Sequence, residues 1–312
     1  MKTNLNMKTI IKNIIAVTLF FGLVACEPYE DYVKDYDFSA VYFGTQRPVR
    51  TLVSRTGQDS LEFRTGVALG GLRENRKGYT VEFRVAPELL TTVAGANKFT
   101  LLPESCYSIE NSNSVFTVPA GKFLGDCPVR IHQEAFAALP GSLDSTYALP
   151  LQLVRTTADS IRTGKDYTVI VIKYIDEHSG AYYTKGRQSQ WDGFAVVPET
   201  TEEYSNADLS GNKVRLLTTL SLTQFDMTGM GNLDHAPVDD ADHLLVNLVS
   251  GAVTLDTKPG CNTVTDRGSS YDADTRTFTF DYIYTRAGIS YLVNEVLILR
   301  QDVEKELRFG TW

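Results

Sequence analysis

Apolar and polar residues alternate with period two along most of the chain, which predicts strands that are buried on one face. The alternation is clear at residues 61–67, 79–85 and 277–284, and turn-forming Gly and Asn residues separate many of the segments. One segment differs, because Pro87 followed by Glu88 predicts a short helix over residues 86–94. The pattern as a whole therefore predicts an all-β protein.

A polar stretch over residues 176–180, which ends in Gly, indicates a boundary between two domains. Residues 37–175 contain many short strands separated by turns, which is typical of a β-sandwich. Residues 176–312 contain the strand patterns 181–186, 194–197, 214–222, 243–249, 252–255, 277–284 and 291–299. They predict a second antiparallel β domain, either a closed, lipocalin-like barrel or another sandwich.

The N-terminus has the layout of a secretory signal. Lys2, Lys8 and Lys12 precede an apolar run over residues 14–23, which is too short to span a membrane as a helix. The run leads into Leu-Val-Ala-Cys at residues 23–26, which resembles the lipobox of bacterial lipoproteins. This resemblance implies a signal peptide over residues 1–25 and lipid attachment at Cys26, so that acyl chains anchor the protein in a membrane. The alternative is an ordinary signal peptide with a chance cysteine.

The segment 26–36 is an acidic tether that carries Glu27, Glu30, Asp31 and Asp35. It resembles the acidic export signal of Bacteroidetes lipoproteins, which implies attachment to the cell outer membrane, facing the cell surface. The alternative is a merely solvated tether.

Charge and cysteine count limit the possible partners and disulfides. Loss of the three signal lysines lowers the formal charge from −8 by three, to −11, and such an acidic surface argues against nucleic acid as a partner. Besides Cys26 there are three cysteines: Cys106 and Cys127 lie in one predicted domain and are candidates for a disulfide, whereas Cys261 would remain a buried thiol.

Five segments of the first domain follow one another in the order seen in domain of unknown function 1735, namely 86–90, 101–107, 116–121, 128–131 and 147–151. This family resemblance implies an immunoglobulin-like sandwich that serves as a spacer or binding module of Bacteroidetes surface lipoproteins, many of them from glycan-utilisation loci. It brings no catalytic residues. Residues 278–284 and 291–300 resemble the C-terminal domain that often follows this family in surface adhesins.

No motif of a common enzyme class is present, and no cofactor or metal is expected. The chain has four His residues, which offers little general-base chemistry, although carboxylate pairs could still serve a glycosidase. One loop carries Asp234, Asp239, Asp240 and Asp242 beside His235. It lacks the Gly of a calcium-binding loop, so a solvated loop is favoured.

Aromatic residues are the best candidates for ligand binding, because the C–H face of a sugar packs on an aromatic ring. Trp191 stands between Gln and Asp residues in a segment that reads as a polar loop, and Tyr182, Tyr183 and Tyr204 are near it in sequence. The alternative is a Trp at a barrel floor or a domain interface. Trp312 is expected to dock the C-terminus.

These observations favour a glycan-binding surface lipoprotein that is not an enzyme. An adhesin or structural partner in an outer-membrane complex, such as a transporter complex, is the second hypothesis. A lipid-anchored glycan hydrolase is the third.

Overall fold

The chain is all-β, as predicted, and forms two β domains in this computed structural model. The structure describes residues 38–110, 113–232 and 241–312. The predicted signal peptide, the acidic tether and Cys26 lie outside the described residues. None of the described helices is long and apolar enough to cross a membrane. These short helices span Leu89–Thr92, Gln133–Ala137 and Val303–Glu306, with 3₁₀ turns at Glu104–Cys106 and Leu209–Gly211.

Two facing sheets form the first domain, which is the expected sandwich. Its strands are β1 (Ala40–Phe43), β2 (Pro48–Ser54), β3 (Ser60–Gly70), β4 (Tyr79–Val85), β5 (Thr100–Leu101), β6 (Tyr107–Ile109), β7 (Val115–Val118), β8 (Leu124–His132), β9 (Tyr147–Thr156), β10 (Ser160–Ile161) and β11 (Tyr167–Asp176). The smaller sheet has the order β10-β1-β3-β8-β6, and the larger one runs β2-β11-β9-β4-β7 with β5 beside β9.

Alternate residues of both sheets point inward and form one apolar core. Strand β3 shows this most regularly, because every second side chain from Leu61 to Leu69 is buried. At the centre of the core, Phe83 stacks on Phe116 at 4.2 Å, and Phe43 meets Phe116 edge-on at 6.1 Å. Burial of these rings stabilises the sandwich by roughly 2 kcal/mol for each side chain.

The predicted disulfide between Cys106 and Cys127 is not formed, and both thiols are buried and free. Cys106 directly precedes β6, whose Tyr107 lies opposite Ile131 of β8. Cys127 lies four residues before Ile131 on β8, which is about 13 Å along a strand. A disulfide needs Cα atoms within about 7 Å of each other, so this register keeps the two cysteines apart. Burial raises the pKa of the Cys127 thiol to about 11.

The second domain is a closed eight-stranded barrel, which decides between the two predicted architectures. Its strands are β12 (Gly180–Trp191), β13 (Glu202–Tyr204), β14 (Lys213–Thr219), β15 (Gln224–Thr228), β16 (His243–Val249), β17 (Ala252–Thr257), β18 (Thr263–Asp266), β19 (Ser270–Asp272), β20 (Thr277–Arg286) and β21 (Ile289–Leu299). β21 closes the barrel because it pairs with both β20 and β12. β13 and β14 share one edge of β12, while β18 and β19 together form one interrupted strand along β20.

Side chains fill the barrel from within. Phe225, Phe278 and Phe280 are fully buried in its core, together with Met230 from the loop that follows β15. Gly231 beside Met230 has a positive φ of 47°, and a Cβ there would lie 2.5 Å from Oε1 of Gln188. The loop therefore closes the barrel end far from the first domain, and glycine is needed for this close approach.

The two domains meet at Asp176, the last residue of β11. Its carboxylate accepts a hydrogen bond from Ser54 Oγ of the first domain at 2.9 Å, and its backbone N–H donates to Thr219 Oγ1 of the barrel at 2.8 Å. Arg55 adds ion pairs to Glu177, at 3.5 Å, and to Glu304. Contacts from both domains thus converge on the short connection between them.

The C-terminus returns from the barrel to the first domain. Strand β22 (Gly310–Thr311) pairs with β2 at the edge of the larger sheet. Trp312 then packs edge-on against Phe99 at 4.9 Å, and its indole N–H donates to the Val169 carbonyl at 2.8 Å. The larger sheet of the sandwich is therefore completed by residues from the end of the chain.

Candidate functional site

Two of the four predicted ligand-binding aromatics point into the barrel. Tyr182 is 1% exposed, and its hydroxyl donates to the His178 carbonyl at 2.7 Å. Tyr204 points inward from β13, and its hydroxyl donates to Glu295 Oε2 at 2.8 Å. Tyr182 belongs to the barrel core and offers no open face, and the half-buried Tyr204 ring is held by its hydrogen bond to Glu295.

The other two, Tyr183 and Trp191, point outward from opposite ends of β12. They are eight residues apart, which is about 26 Å along a strand. The Arg300 guanidinium lies 6.0 Å from the centre of the half-buried Tyr183 ring. The structure therefore does not bring the four predicted residues together, and Trp191 is the one on which a surface site can be built.

Trp191 ends β12 and is not part of a polar loop as the sequence suggested. Residues 186–191 were misread because Gln188 and Gln190 face a barrel interior that is polar at this level, so the usual apolar alternation is missing. Gly186 also lies in this strand, opposite Glu295, and a Cβ on it would lie 2.3 Å from the Asn294 carbonyl oxygen. The glycine thus serves close strand pairing and does not mark a turn.

The outer barrel surface beside Trp191 is polar. The half-buried Trp191 ring has the Arg267 guanidinium 5.2 Å from its centre. Two strand registers place Arg187, Asn294 and Asp281 side by side on β12, β21 and β20. Arg187 Nε donates to Asn294 Oδ1 at 3.4 Å, and Arg267 Nε lies 3.6 Å from Asp281 Oδ1. We call these five residues the Trp191 face.

Sequence reasoning missed four of the five residues of the Trp191 face. Asn294 and Asp281 look like ordinary outward residues of alternating strands, and Arg267 lies in the short break between β18 and β19. Only the pairing of strands far apart in the chain puts them beside Trp191, and no local signal contains that register.

The loop after Trp191 carries an exposed ring. Asp192 accepts hydrogen bonds from the backbone N–H groups of Ala195, at 2.7 Å, and Phe194, at 2.8 Å. These two bonds lower the pKa of the Asp192 carboxyl and fix the turn. Phe194 is 93% exposed at its tip.

A buried polar cluster lies inside the barrel behind the Trp191 face. Glu295 is 1% exposed, and its two oxygens accept hydrogen bonds from the hydroxyls of Tyr282 and Tyr204, each at 2.8 Å. The Gly231 N–H donates to Tyr282 Oη at 2.9 Å, and the Gly231 carbonyl accepts from the buried Arg215. Burial, and secondarily Glu295, raises the pKa of both tyrosines, so both hydroxyls remain donors. These five residues are the lumen cluster.

Most of the predicted carboxylate loop, including Asp234, His235, Asp239 and Asp240, lies outside the described residues. Asp242 is described and is 1% exposed; it accepts from Asn262 Nδ2 at 2.9 Å and lies 3.5 Å from Arg286. Over residues 38–110, 113–232 and 241–312, no group of three or more His, Cys, Asp or Glu side chains is arranged to hold a metal ion.

A protein-family model described as an N-terminal domain matches residues 35–160. The match covers most of the first domain, and it confirms the expected resemblance of this part of the chain to a family of N-terminal domains. No curated protein matches the sequence significantly.

The two-domain fold recurs in a solved structure. A Bacteroides ovatus protein of unknown function aligns with a TM-score of 0.71 and 17% identity, over 88% of this chain and 98% of the other. A multidomain protein including DUF1735, also from B. ovatus, aligns with a TM-score of 0.41 and 11% identity, over 87% and 97% of the two chains. An auxiliary nutrient binding protein from Bacteroides thetaiotaomicron gives 0.39 and 14%, over 83% and 92%. The first of these likenesses shows the fold, and none of them assigns a ligand.

Proposed function

We propose that the protein is a lipid-anchored surface protein of the outer membrane that binds glycan through the Trp191 face. The observation that carries this proposal is the half-buried Trp191 on the outer face of the barrel rim, beside a row of polar side chains on three neighbouring strands. The indole ring supplies an apolar surface for the C–H face of a sugar. Arg187, Asn294 and Asp281 supply the donors and acceptors that hydroxyl groups require.

The row of polar groups on the Trp191 face suits an extended polysaccharide chain better than a single sugar. The row of polar groups crosses three strands, and neighbouring strands are about 4.8 Å apart. A ligand that lies across them would meet several hydrogen-bonding groups in succession. The Arg267 guanidinium on the Trp191 ring would have to shift or share that ring with the ligand, at a cost of about 1 kcal/mol.

Trp191→Ala is expected to abolish binding on a glycan array of the soluble protein that starts after Cys26. Stability should fall by only about 1 kcal/mol, because the ring lies on the outer surface of the barrel and its loss removes mainly the contact with Arg267. Tyr183→Ala is the matched control, since Tyr183 faces outward at the other end of the same strand, and it should bind as well as the parent protein. Unchanged binding by the Trp191→Ala variant would refute the proposed site.

The membrane anchor belongs to the same proposal. Cys26→Ala is expected to move the protein from the membrane fraction to the soluble fraction, because the acyl chains would supply essentially all of its membrane affinity. Cys261→Ala is the matched control and should remain with the membranes. Fractionation of cells that express each variant, followed by immunoblotting, measures this. A Cys26→Ala variant that still sediments with membranes contradicts lipid anchoring.

An adhesin, or a partner of an outer-membrane transporter complex, is the second candidate. Phe194 favours it, because a ring that is 93% exposed at a loop tip is a natural anchor for a protein partner. On this hypothesis Phe194→Ala, and not Trp191→Ala, would weaken binding of the protein partner.

A glycan hydrolase, the third candidate, has less support. Its general acid would need a carboxyl group with a raised pKa. Within the described part of the chain, every carboxyl group with a shifted pKa, among them Asp126 and Asp192, has it lowered by hydrogen bonds.

A further inference from the structure

A concave site lies at the junction of the two domains, at the barrel end opposite Trp191. Here the turn between β11 and β12 meets the barrel loops around Tyr271 and Arg276 and leaves a cleft of about 240 Å³. We call it the junction cleft. We propose that it binds a single neutral, hydroxylated ring of monosaccharide size, with His178 as the hydrogen-bonding partner inside it.

His178 is held in one orientation. Its Nδ1 lies 2.6 Å from Asp176 Oδ1, and the same oxygen accepts the His178 backbone N–H at 2.9 Å. The other Asp176 oxygen accepts from Ser54 at 2.9 Å. Asp176 Oδ1 therefore accepts a hydrogen bond from the His178 Nδ1–H group, and in the neutral tautomer with this proton Nε2 is an acceptor.

The second ring nitrogen of His178, Nε2, is the group that a ligand could use. His178 is 6% exposed and lines the junction cleft, and among the described residues no group hydrogen bonds to Nε2. An imidazole that is buried, oriented by a carboxylate and without a hydrogen-bond partner at Nε2 is suited to accept a hydrogen bond from a ligand hydroxyl.

The walls of the junction cleft fit the apolar side of a sugar ring. Tyr271 stands edge-on to the imidazole, with ring centres 4.8 Å apart, and Leu248 contributes an aliphatic surface. At about 240 Å³ the cleft is smaller than the ~300–1,000 Å³ of sites for larger ligands, so it fits one ring and not a chain.

The charges beside the cleft are already paired, which favours a neutral ligand. Arg276 is paired with Asp302, and it also donates to the Glu177 carbonyl at 3.1 Å. The Glu177 carboxylate accepts the Thr56 N–H at 2.9 Å and pairs with Arg55 at 3.5 Å. A charged ligand would have to break one of these pairs, whereas a sugar hydroxyl can share them.

The test uses NMR of the folded soluble protein with a panel of neutral monosaccharides: glucose, galactose, mannose, fucose and N-acetylglucosamine. We expect at least one sugar to bind at millimolar concentration and to shift the imidazole signals of His178. Ala273→Trp places a large side chain at the exposed rim of the junction cleft and should weaken binding about tenfold or more, by steric exclusion. His178→Gln should weaken it by a similar factor through loss of the oriented acceptor.

Ala195→Trp is the matched control, because it makes the same substitution at an exposed alanine at the opposite barrel end. It should leave binding in the junction cleft unchanged, as should Trp191→Ala, so failure of the Trp191 face and failure of this site are distinguishable. If no sugar of the panel shifts the His178 signals, or if Ala273→Trp binds as tightly as the parent, the proposal is overturned. Since Ala273 contributes nothing to the core, this outcome does not depend on whether His178→Gln folds.

Discussion

Glu295→Gln is expected to lower the free energy of unfolding of the barrel by roughly 3 kcal/mol. The carboxylate of Glu295 accepts two tyrosine hydroxyls at 2.8 Å inside a closed barrel. An amide has only one oxygen, so one tyrosine would face an N–H₂ group and lose its acceptor. The buried Arg215, which is linked to Glu295 through Gly231 and Tyr282, would also lose the nearby negative charge.

Urea denaturation followed by circular dichroism measures this change. Glu203→Gln is the matched control, because it is the same substitution at an exposed position on β13. It should change the free energy of unfolding by no more than about 0.5 kcal/mol. Equal stability of the two variants would mean that the lumen cluster contributes little to the barrel. A barrel that needs the cluster would instead show a lower urea midpoint for Glu295→Gln alone.

The lumen cluster also explains where sequence reasoning succeeded and where it failed. Strand β20 was predicted closely, because Phe278, Phe280, Tyr282 and Tyr284 alternate with polar residues and all four face inward. The second half of β12 was taken for a loop, because its inward positions carry Gly and Gln next to the cluster. Alternation identifies a strand only where the face it buries is apolar.

Closure of the barrel could not be predicted from the sequence, for a different reason. It depends on β12 pairing with β21, so that Tyr182 lies opposite Leu299 and Trp191 opposite Ser290. These partners are about one hundred residues apart in the chain, and the composition of either strand fits a sandwich equally well. The same long-range register builds the Trp191 face.

The junction cleft contains residues of the segment that the sequence pattern indicated as a domain boundary. Asp176 and His178 were recognised only as members of a polar boundary segment. The hydrogen bond between them joins residues that are two apart in the chain. The cleft itself also needs Tyr271 and Arg276, which the barrel fold brings to His178 from far along the chain. Functional chemistry at domain junctions is therefore poorly visible to local patterns.

The C-terminus provides the second large effect, because it ties the end of the barrel domain to the first domain. Trp312→Ala is expected to lower the stability of the sandwich by roughly 2–3 kcal/mol, less than for a fully buried Trp because the ring is half-exposed. The change removes the contact with Phe99, the indole hydrogen bond to Val169 and the stacking of Arg47 at 4.9 Å.

Phe309→Ala is the matched control for this prediction. Phe309 lies three residues earlier and is 93% exposed, with the Arg50 guanidinium 5.4 Å from its ring centre, so its loss should change stability by at most about 0.5–1 kcal/mol. Urea denaturation of both variants, followed by circular dichroism, gives the comparison. If the two variants have the same free energy of unfolding, the C-terminal segment contacts the sandwich without stabilising it. A selective loss at Trp312 would show that its contacts with Phe99, Val169 and Arg47 stabilise the first domain.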